Sequence, residues 1–298
     1  MYEAFYGFRE KPFSLLPDAG FLYLSKKHRM AQAMLEYGLM NQAGFTVITG
    51  EIGSGKTTLL RHMLGQIDFE SNLTVGLVSN THRSFGELLQ WVLLAFKLEY
   101  QNKEKVALYQ TFADFMTKEY NRGHRTVLII DEAQNLSLEA LEELRMLSNI
   151  NADKDQVLQL VLVGQPGLRD MLREPELEQF AQRIAIDYHL DRLDLQETCE
   201  YIRHRTVIAG GSPNLFETAA CVAVHFFTHG TPRLINVLCD TALVCGFGEQ
   251  KEQIDVDLIH DVVRDKTLGG ILPVWDMEDE QHADVVTDIN AAKKKTKG

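Results

Sequence analysis

Apolar residues along this chain fall into two textures. Residues 45–49 (Phe-Thr-Val-Ile-Thr), 73–79, 126–130 and 157–163 are short, β-branched and close to continuously apolar, the pattern of parallel strands buried on both faces. A last strand follows Arg183 with Ile184-Ala185-Ile186. Between these runs the spacing becomes helical. Residues 57–66 place Leu59, Leu60, Met63 and Leu64 on one face, residues 84–96 and 106–120 are two further helices, and Ser137 caps a helix bearing Leu138, Leu141, Leu144 and Leu147. A helix also starts near Ser25, with Met30, Met34, Leu35 and Leu39 on one side. From Leu193 onward only the helical period remains. Asp194-Leu195-Gln196-Glu197 is a capping box and Gly210-Gly211 closes its helix. A second helix covers 215–229 and stops at Gly230, a third starts with Thr231 as cap and Pro232 in its first turn, and a fourth covers 255–267 on an Asp255 cap. Strands alternating with helices and then helices alone predict an α/β domain followed by a small all-α domain.

The first strand runs into Gly50-Glu51-Ile52-Gly53-Ser54-Gly55-Lys56-Thr57, followed by Thr58. This fits the phosphate-binding loop G-x-x-x-x-G-K-[ST], in the strand–loop–helix context the motif requires. Its glycines let backbone N–H groups converge on phosphate oxygens at a helix N-terminus, so residues 50–58 are candidate contacts for a nucleoside triphosphate. Lys56 would reach the β- and γ-phosphates, and Thr57 would take one position on Mg²⁺. The run 126–130 ends in Asp131-Glu132. A carboxylate at the C-terminal end of a parallel strand stands where open α/β sheets bind ligands. Asp131 is the candidate metal partner and Glu132 the candidate general base. Gln165, ending the strand 157–163, can sense a γ-phosphate or orient water, or else bond the backbone of its Gly-x-Pro bend. Arg183 can serve a neighbouring subunit's nucleotide as an arginine finger or be a solvated charge. Arg233, in the first turn of its helix, can swing onto a γ-phosphate or pair with surface carboxylates.

Composition narrows this picture. The sequence has 298 residues and a formal net charge of −12, from 30 Lys and Arg against 42 Asp and Glu. That balance disfavours a protein that coats nucleic acid by charge, without excluding a local basic patch. Cys199, Cys221, Cys239 and Cys245 lack metal-binding spacing and read as buried reduced thiols. With no signal-peptide pattern and no spanning apolar run, the expected compartment is the cytoplasm. Residues 1–44 form a prelude dense in aromatics at Phe5, Tyr6, Phe8 and Phe13, kept extended by Pro12 and Pro17 and expected to pack on the nucleotide domain of residues 45–192. Phe21, Tyr23 and His28 either contact adenine or simply pack. The helical domain spans 193–270, and 271–298, acidic and then Lys-rich, reads as a disordered tail.

In combination these motifs resemble an AAA+ ATPase. More narrowly, Tyr2-Glu3-x-Phe5-Tyr6-Gly7-Phe8, Lys11-Pro12-Phe13, Pro17-Asp18, Asp131-Glu132-Ala133-Gln134 and Gly164-Gln165-Pro166 resemble the general secretion pathway protein A (ExeA-like) family over residues 1–268. The resemblance implies a parallel sheet in the order 5-1-4-3-2 with a C-terminal helical lid. It implies sensor roles for Gln165 and Arg233, a finger role for Arg183, and ATP and Mg²⁺ as substrate and cofactor. It also implies self-association through a shared ATP site and a partner in an inner-membrane secretion, pilus or exopolysaccharide-export system, to which the protein would attach peripherally. The best-known relatives continue into a membrane span and a peptidoglycan-binding part, and the expectation here is a short form with neither. Two alternatives stay open: a DNA-binding ATPase resembling transposition target-selection proteins, and a scaffold that holds ATP with little turnover.

Overall fold

The computed structural model describes residues 1–66, 72–79, 88–152 and 155–269. The chain divides into two compact units. One comprises Lys26–Glu51 and Leu59–Leu190; the other gathers Met1–Ser25, Ile52–Thr58 and the chain from Asp191 onward. The expected tail beyond residue 270, and the start of the helix expected at 84–96, lie outside the described residues.

The first unit is built on five parallel strands: β1 (Phe45–Gly50), β2 (Leu73–Val78), β3 (Arg125–Ile130), β4 (Leu158–Gly164) and β5 (Ile184–Leu190). Their order is β2-β3-β4-β1-β5, the expected order read from its other edge. Ile130 stands opposite Leu162, and Leu162 opposite Val47, across three adjacent strands. β1 and β4 are buried at every position. Alternate side chains feed two cores, as the period of a strand requires. Phe45, Val47, Leu128, Ile130, Leu160 and Leu162 enter the larger one, which is closed by α4 (Leu88–Ala95), α5 (Lys105–Asn121), α6 (Leu138–Leu147), α7 (Pro166–Met171) and α8 (Glu178–Ala181). Ile48, Val127, Ile129, Val161 and Val163 face the other way, onto Leu35 of α2 (Lys26–Met40) and Leu60 and Met63 of α3 (Lys56–Gln66).

The apolar stripe expected on α2 is rotated. Its buried residues are His28, Ala31, Leu35 and Gly38, while Met30 is exposed. Close approach is the reason: a Cβ on Gly38 would lie 2.6 Å from Thr46 Oγ1 and 3.0 Å from Ile186 Cδ1. Small residues therefore face the sheet, and Met30 turns away.

The second unit packs α9 (Leu195–Ile208), α10 (Thr218–Thr228), α11 (Pro232–Gly248) and α12 (Val256–Gly269) around a separate core. Both halves of the Asp194–Glu197 capping box form, and Asp255 Oδ1 accepts the Leu258 N–H at 2.8 Å. Thr231 precedes α11, but its hydroxyl makes no cap bond. Cys199, Cys221 and Cys239 are buried free thiols, whereas Cys245 is only half-buried. No helix among the described residues is long and apolar enough to cross a membrane.

The aromatic prelude is corrected here. Its first 25 residues, including α1 (Tyr2–Phe5), belong to the helical unit and not to the sheet. Tyr2, Tyr6, Phe8, Phe13 and Phe21 are buried in the helical core. Phe13 packs edge-on to Phe216 at 5.7 Å. Arg205 Nε donates to the Pro12 carbonyl at 2.5 Å and its guanidinium sits 4.9 Å from the Phe21 ring centroid. Aromatic side chains bury the most area per residue, so these five add substantially to the core of the four helices.

Gly230 tests this packing. Its φ is +69°, its carbonyl accepts the Leu193 N–H at 3.0 Å, and a Cβ there would lie 1.9 Å from the Leu193 oxygen. Gly230→Ala should destabilise by more than ~1 kcal/mol, lowering the thermal midpoint by several degrees. Gly65→Ala is the contrast: in α3 with nothing within 4 Å of the new Cβ, it should be neutral or stabilise by about 0.5–1 kcal/mol.

Candidate functional site

Three of the sequence-predicted side chains of the sheet unit meet its C-terminal edge. β3 ends at Ile130, and Asp131 continues the ladder by donating its N–H to the Val78 carbonyl at 2.9 Å; it is 4% exposed. Asp131 Oδ1 accepts the N–H of Glu132 at 2.9 Å. Glu132 then takes a left-handed backbone, φ +55°, a conformation that costs a non-glycine residue on the order of 1 kcal/mol or more and clusters at functional sites. That reversal starts the short 3₁₀ turn Ala133–Asn135, pinned by the fully buried Ala133.

Glu132 Oε2 accepts two side-chain amides, from Gln134 Nε2 at 2.6 Å and from Gln165 Nε2 at 3.1 Å. Gln134 Oε1 in turn accepts the backbone N–H of Gln165 at 2.9 Å. Gln165 caps α7 by position but makes no side-chain cap bond, so its amide is directed to Glu132 and not to the bend. Nothing in the pattern of the chain singled out Gln134 beyond its place in Asp-Glu-Ala-Gln. Its role depends on the 3₁₀ turn, which brings residues 132 and 134 together, and on β4 lying beside β3. A second pairing missed in the sequence is Thr49 Oγ1 with His189 Nδ1, 2.9 Å apart on β1 and β5.

Arg183 is also in this unit. Its Nη1 donates to Ser148 Oγ at 2.7 Å and to the Arg145 carbonyl at 3.4 Å, and its Nη2 donates to Asn149 Oδ1 at 2.6 Å. The guanidinium thus closes the C-terminal end of α6, where the helix dipole favours a cation, and is itself half-buried.

In the helical unit, Gly53 and Gly55 of the loop carry φ of +77° and +99°. Ser54 and Lys56 are buried, Thr57 and Thr58 are half-buried, and Ile52 is 62% exposed. α3 begins at Lys56, so the loop opens into a helix N-terminus. Arg233, the second residue of α11, donates its backbone N–H to the Gly53 carbonyl at 3.2 Å, while its side chain is exposed. A Cβ on Gly53 would lie 2.5 Å from Arg233 Cβ. Of the adenine candidates, Phe21 is buried against Arg205, and Tyr23 donates to Glu200 Oε2 at 2.6 Å and packs edge-on to Tyr201 at 6.0 Å. His28 is buried in α2.

A family model described as an AAA domain matches residues 39–172. General secretion pathway protein A of Aeromonas hydrophila is 39% identical over 255 residues, which are 85% of this chain and 46% of that protein. The chain therefore spans about half the length of the curated relative it matches. Among solved structures, the Aeropyrum pernix ORC2 protein in ADPNP–ADP complexes superposes with a TM-score of 0.63 at 18% identity, over 86% of this chain and 72% of that one. Cdc6p of Pyrobaculum aerophilum gives 0.63 at 14% identity, over 84% and 71%. The Thermotoga maritima RuvB Holliday junction branch migration motor gives 0.51 at 17%, over 91% and 78%. At such identities these structures speak for the fold alone.

The Gly53–Arg233 contact can be checked directly. Gly53→Ala combines a strained φ with a clash against the first turn of α11, so the Arg233 N–H should lose its acceptor. Hydrogen exchange at that amide should quicken by about tenfold or more, while amides in the middle of α11 keep their protection.

Proposed function

We propose that this chain, which carries an AAA-domain match and is 39% identical to general secretion pathway protein A over 255 residues, binds and hydrolyses ATP, coupling the cycle to assembly of a secretion, pilus or export system. The observation that carries the reading is the placement of Glu132. Its carboxylate is held by two amides at the C-terminal edge of the sheet, and the phosphate-binding loop leaves β1, two strands away, at the same edge. Lys56 supplies the charge for the β- and γ-phosphates, and the backbone N–H groups of residues 50–58 surround them. The Thr57 hydroxyl and the buried Asp131 carboxylate are oxygen donors of the kind that hold Mg²⁺ with water and phosphate completing its shell. That ion would neutralise phosphate charge as it develops. Glu132 takes a proton from water as the water oxygen bonds the γ-phosphorus and the bond to the β–γ bridging oxygen breaks, releasing ADP and phosphate. Gln165 and Arg233 are the proposed sensors of the γ-phosphate.

Arg183 is proposed to complete the site of a neighbouring copy, which makes the active form an oligomer. Its hydrogen bonds to α6 hold the guanidinium in one place, as a group presented to a partner requires. The partner that receives the work is proposed to be an inner-membrane component, which would bring the protein to the membrane surface.

Lys56 and Glu132 should fail differently. Lys56→Ala should lose nucleotide affinity in equilibrium binding with a fluorescent ATP analogue. Glu132→Gln should bind ATP and retain it, with turnover lowered about 10²–10⁴-fold. Wild-type turnover in Glu132→Gln would remove the base assignment.

Mixing tests the shared site. Arg183→Ala and Lys56→Ala should each be inactive, and mixed oligomers should recover part of the activity, since a finger contributes ~10³-fold or more. Mixtures shown to co-assemble yet remaining inactive would count against it.

A further inference from the structure

We infer that Gln134 is a positioning residue for hydrolysis, setting the plane of the Glu132 carboxylate and tying it to Gln165; the inference rests on the reading of Glu132 as the base. Both ends of the Gln134 amide are used, in opposite senses. Nε2 donates to Glu132 Oε2 at 2.6 Å and Oε1 accepts the Gln165 N–H at 2.9 Å. Only this orientation of the amide works, because reversing it would set oxygen against carboxylate and NH₂ against N–H. Gln165 Nε2 donates to the same Glu132 oxygen at 3.1 Å, so the three residues close a ring of hydrogen bonds.

The ring answers a specific need. The last torsion of a glutamate side chain is broad and roughly two-fold, so a general base on a free glutamate would wander. Two donors on one oxygen remove that freedom. The surroundings keep the ring in place. The left-handed backbone at Glu132 starts the turn, and Ala133 anchors it with no exposure. Gly164 leaves room for the amide, since a Cβ there would lie 3.0 Å from Gln134 Oε1 and 2.8 Å from Leu168 Cδ2. The link to the Gln165 backbone also carries information: a shift of the residue proposed to sense the γ-phosphate moves the Gln134 amide, whose Nε2 donates to the base.

Gln134→Glu separates positioning from loop support. The carboxylate keeps the length of the side chain and an acceptor for the Gln165 N–H, but puts an oxygen where the donor to Glu132 stood. Steady-state turnover and equilibrium binding of a fluorescent ATP analogue are measured on the full chain. The expected result for Gln134→Glu and for Gln134→Ala is a kcat about 10–100-fold lower. KM and analogue affinity should stay within about twofold, the split expected of an interaction made in the transition state. On a Glu132→Gln background neither change should lower turnover further. Wild-type kcat in Gln134→Glu would leave Gln134 as loop support and overturn the inference, as would a raised KM at unchanged kcat. Turnover lost in Glu132→Gln but kept in Gln134→Glu overturns this inference alone, whereas a wild-type chain that hydrolyses no ATP overturns the proposed function with it. Should Gln134→Ala fail to fold, Gln134→Glu carries the test by itself.

Discussion

Backbone hydrogen bonding among three parallel strands decides where the chemistry of the sheet unit can stand. β3, β4 and β1 are neighbours in fixed register, with Ile130 opposite Leu162 and Leu162 opposite Val47. Parallel strands end at one edge, so whatever follows each strand emerges on the same side. After β3 come the two acids, after β4 comes Gln165, and after β1 comes the glycine-rich loop. A slip of one residue would turn each core side chain to the opposite face, and burial of β1 and β4 at every position makes such a slip expensive. Hydrophobic packing thus enforces the alignment of polar groups that take no part in it.

Within that frame the polar groups are held by hydrogen bonds suited to their charge. The Glu132 carboxylate meets amide donors, and the Arg183 guanidinium meets oxygens at a helix C-terminus. Fixed donors keep a carboxylate, whose last torsion is otherwise broad, aimed in one direction. In the helical unit the close approach of Gly53 to the start of α11 uses an N–H that no intrahelical partner can satisfy. The loop and Arg233 are thereby joined through backbone, and the arginine side chain is left exposed.

The aromatic prelude shows how a small helical domain can be stabilised from elsewhere in the chain. Apolar burial contributes roughly 25 cal/mol per Å², and Tyr2, Tyr6, Phe8, Phe13 and Phe21 add large side chains to the core of α9–α12. Polar contacts hold the strap in register: the Tyr2 hydroxyl donates to Asp240, and the Arg9 N–H donates to the Ala209 carbonyl at 2.7 Å. Of the rings expected either to contact a base or to pack, Phe21 is buried in this core and Tyr23 packs partly buried against it.

The strands, the helices capped by Ser137, Asp194 and Asp255, the phosphate-binding loop and the acidic pair are legible in the order of residues alone. Each is written locally: continuous β-branched runs need burial on both faces, Asp194 and Glu197 cap within one turn, and the loop needs its glycines at set spacing. The sequence also contained the strand order, through resemblance to a family. Which core each element joins is settled by packing between segments far apart in the chain. Met30 is an apolar residue at helical spacing, yet α2 turns Gly38 to the sheet because that helix comes too close for a side chain. Phe13 is aromatic in either location, and hydrophobicity, being non-directional, does not say which core it will join. Gln134 and Gln165 are 31 residues apart, and no periodicity links them. Their hydrogen bonds exist because β4 pairs with β3, and pairing between distant strands is set by the packing of the whole sheet.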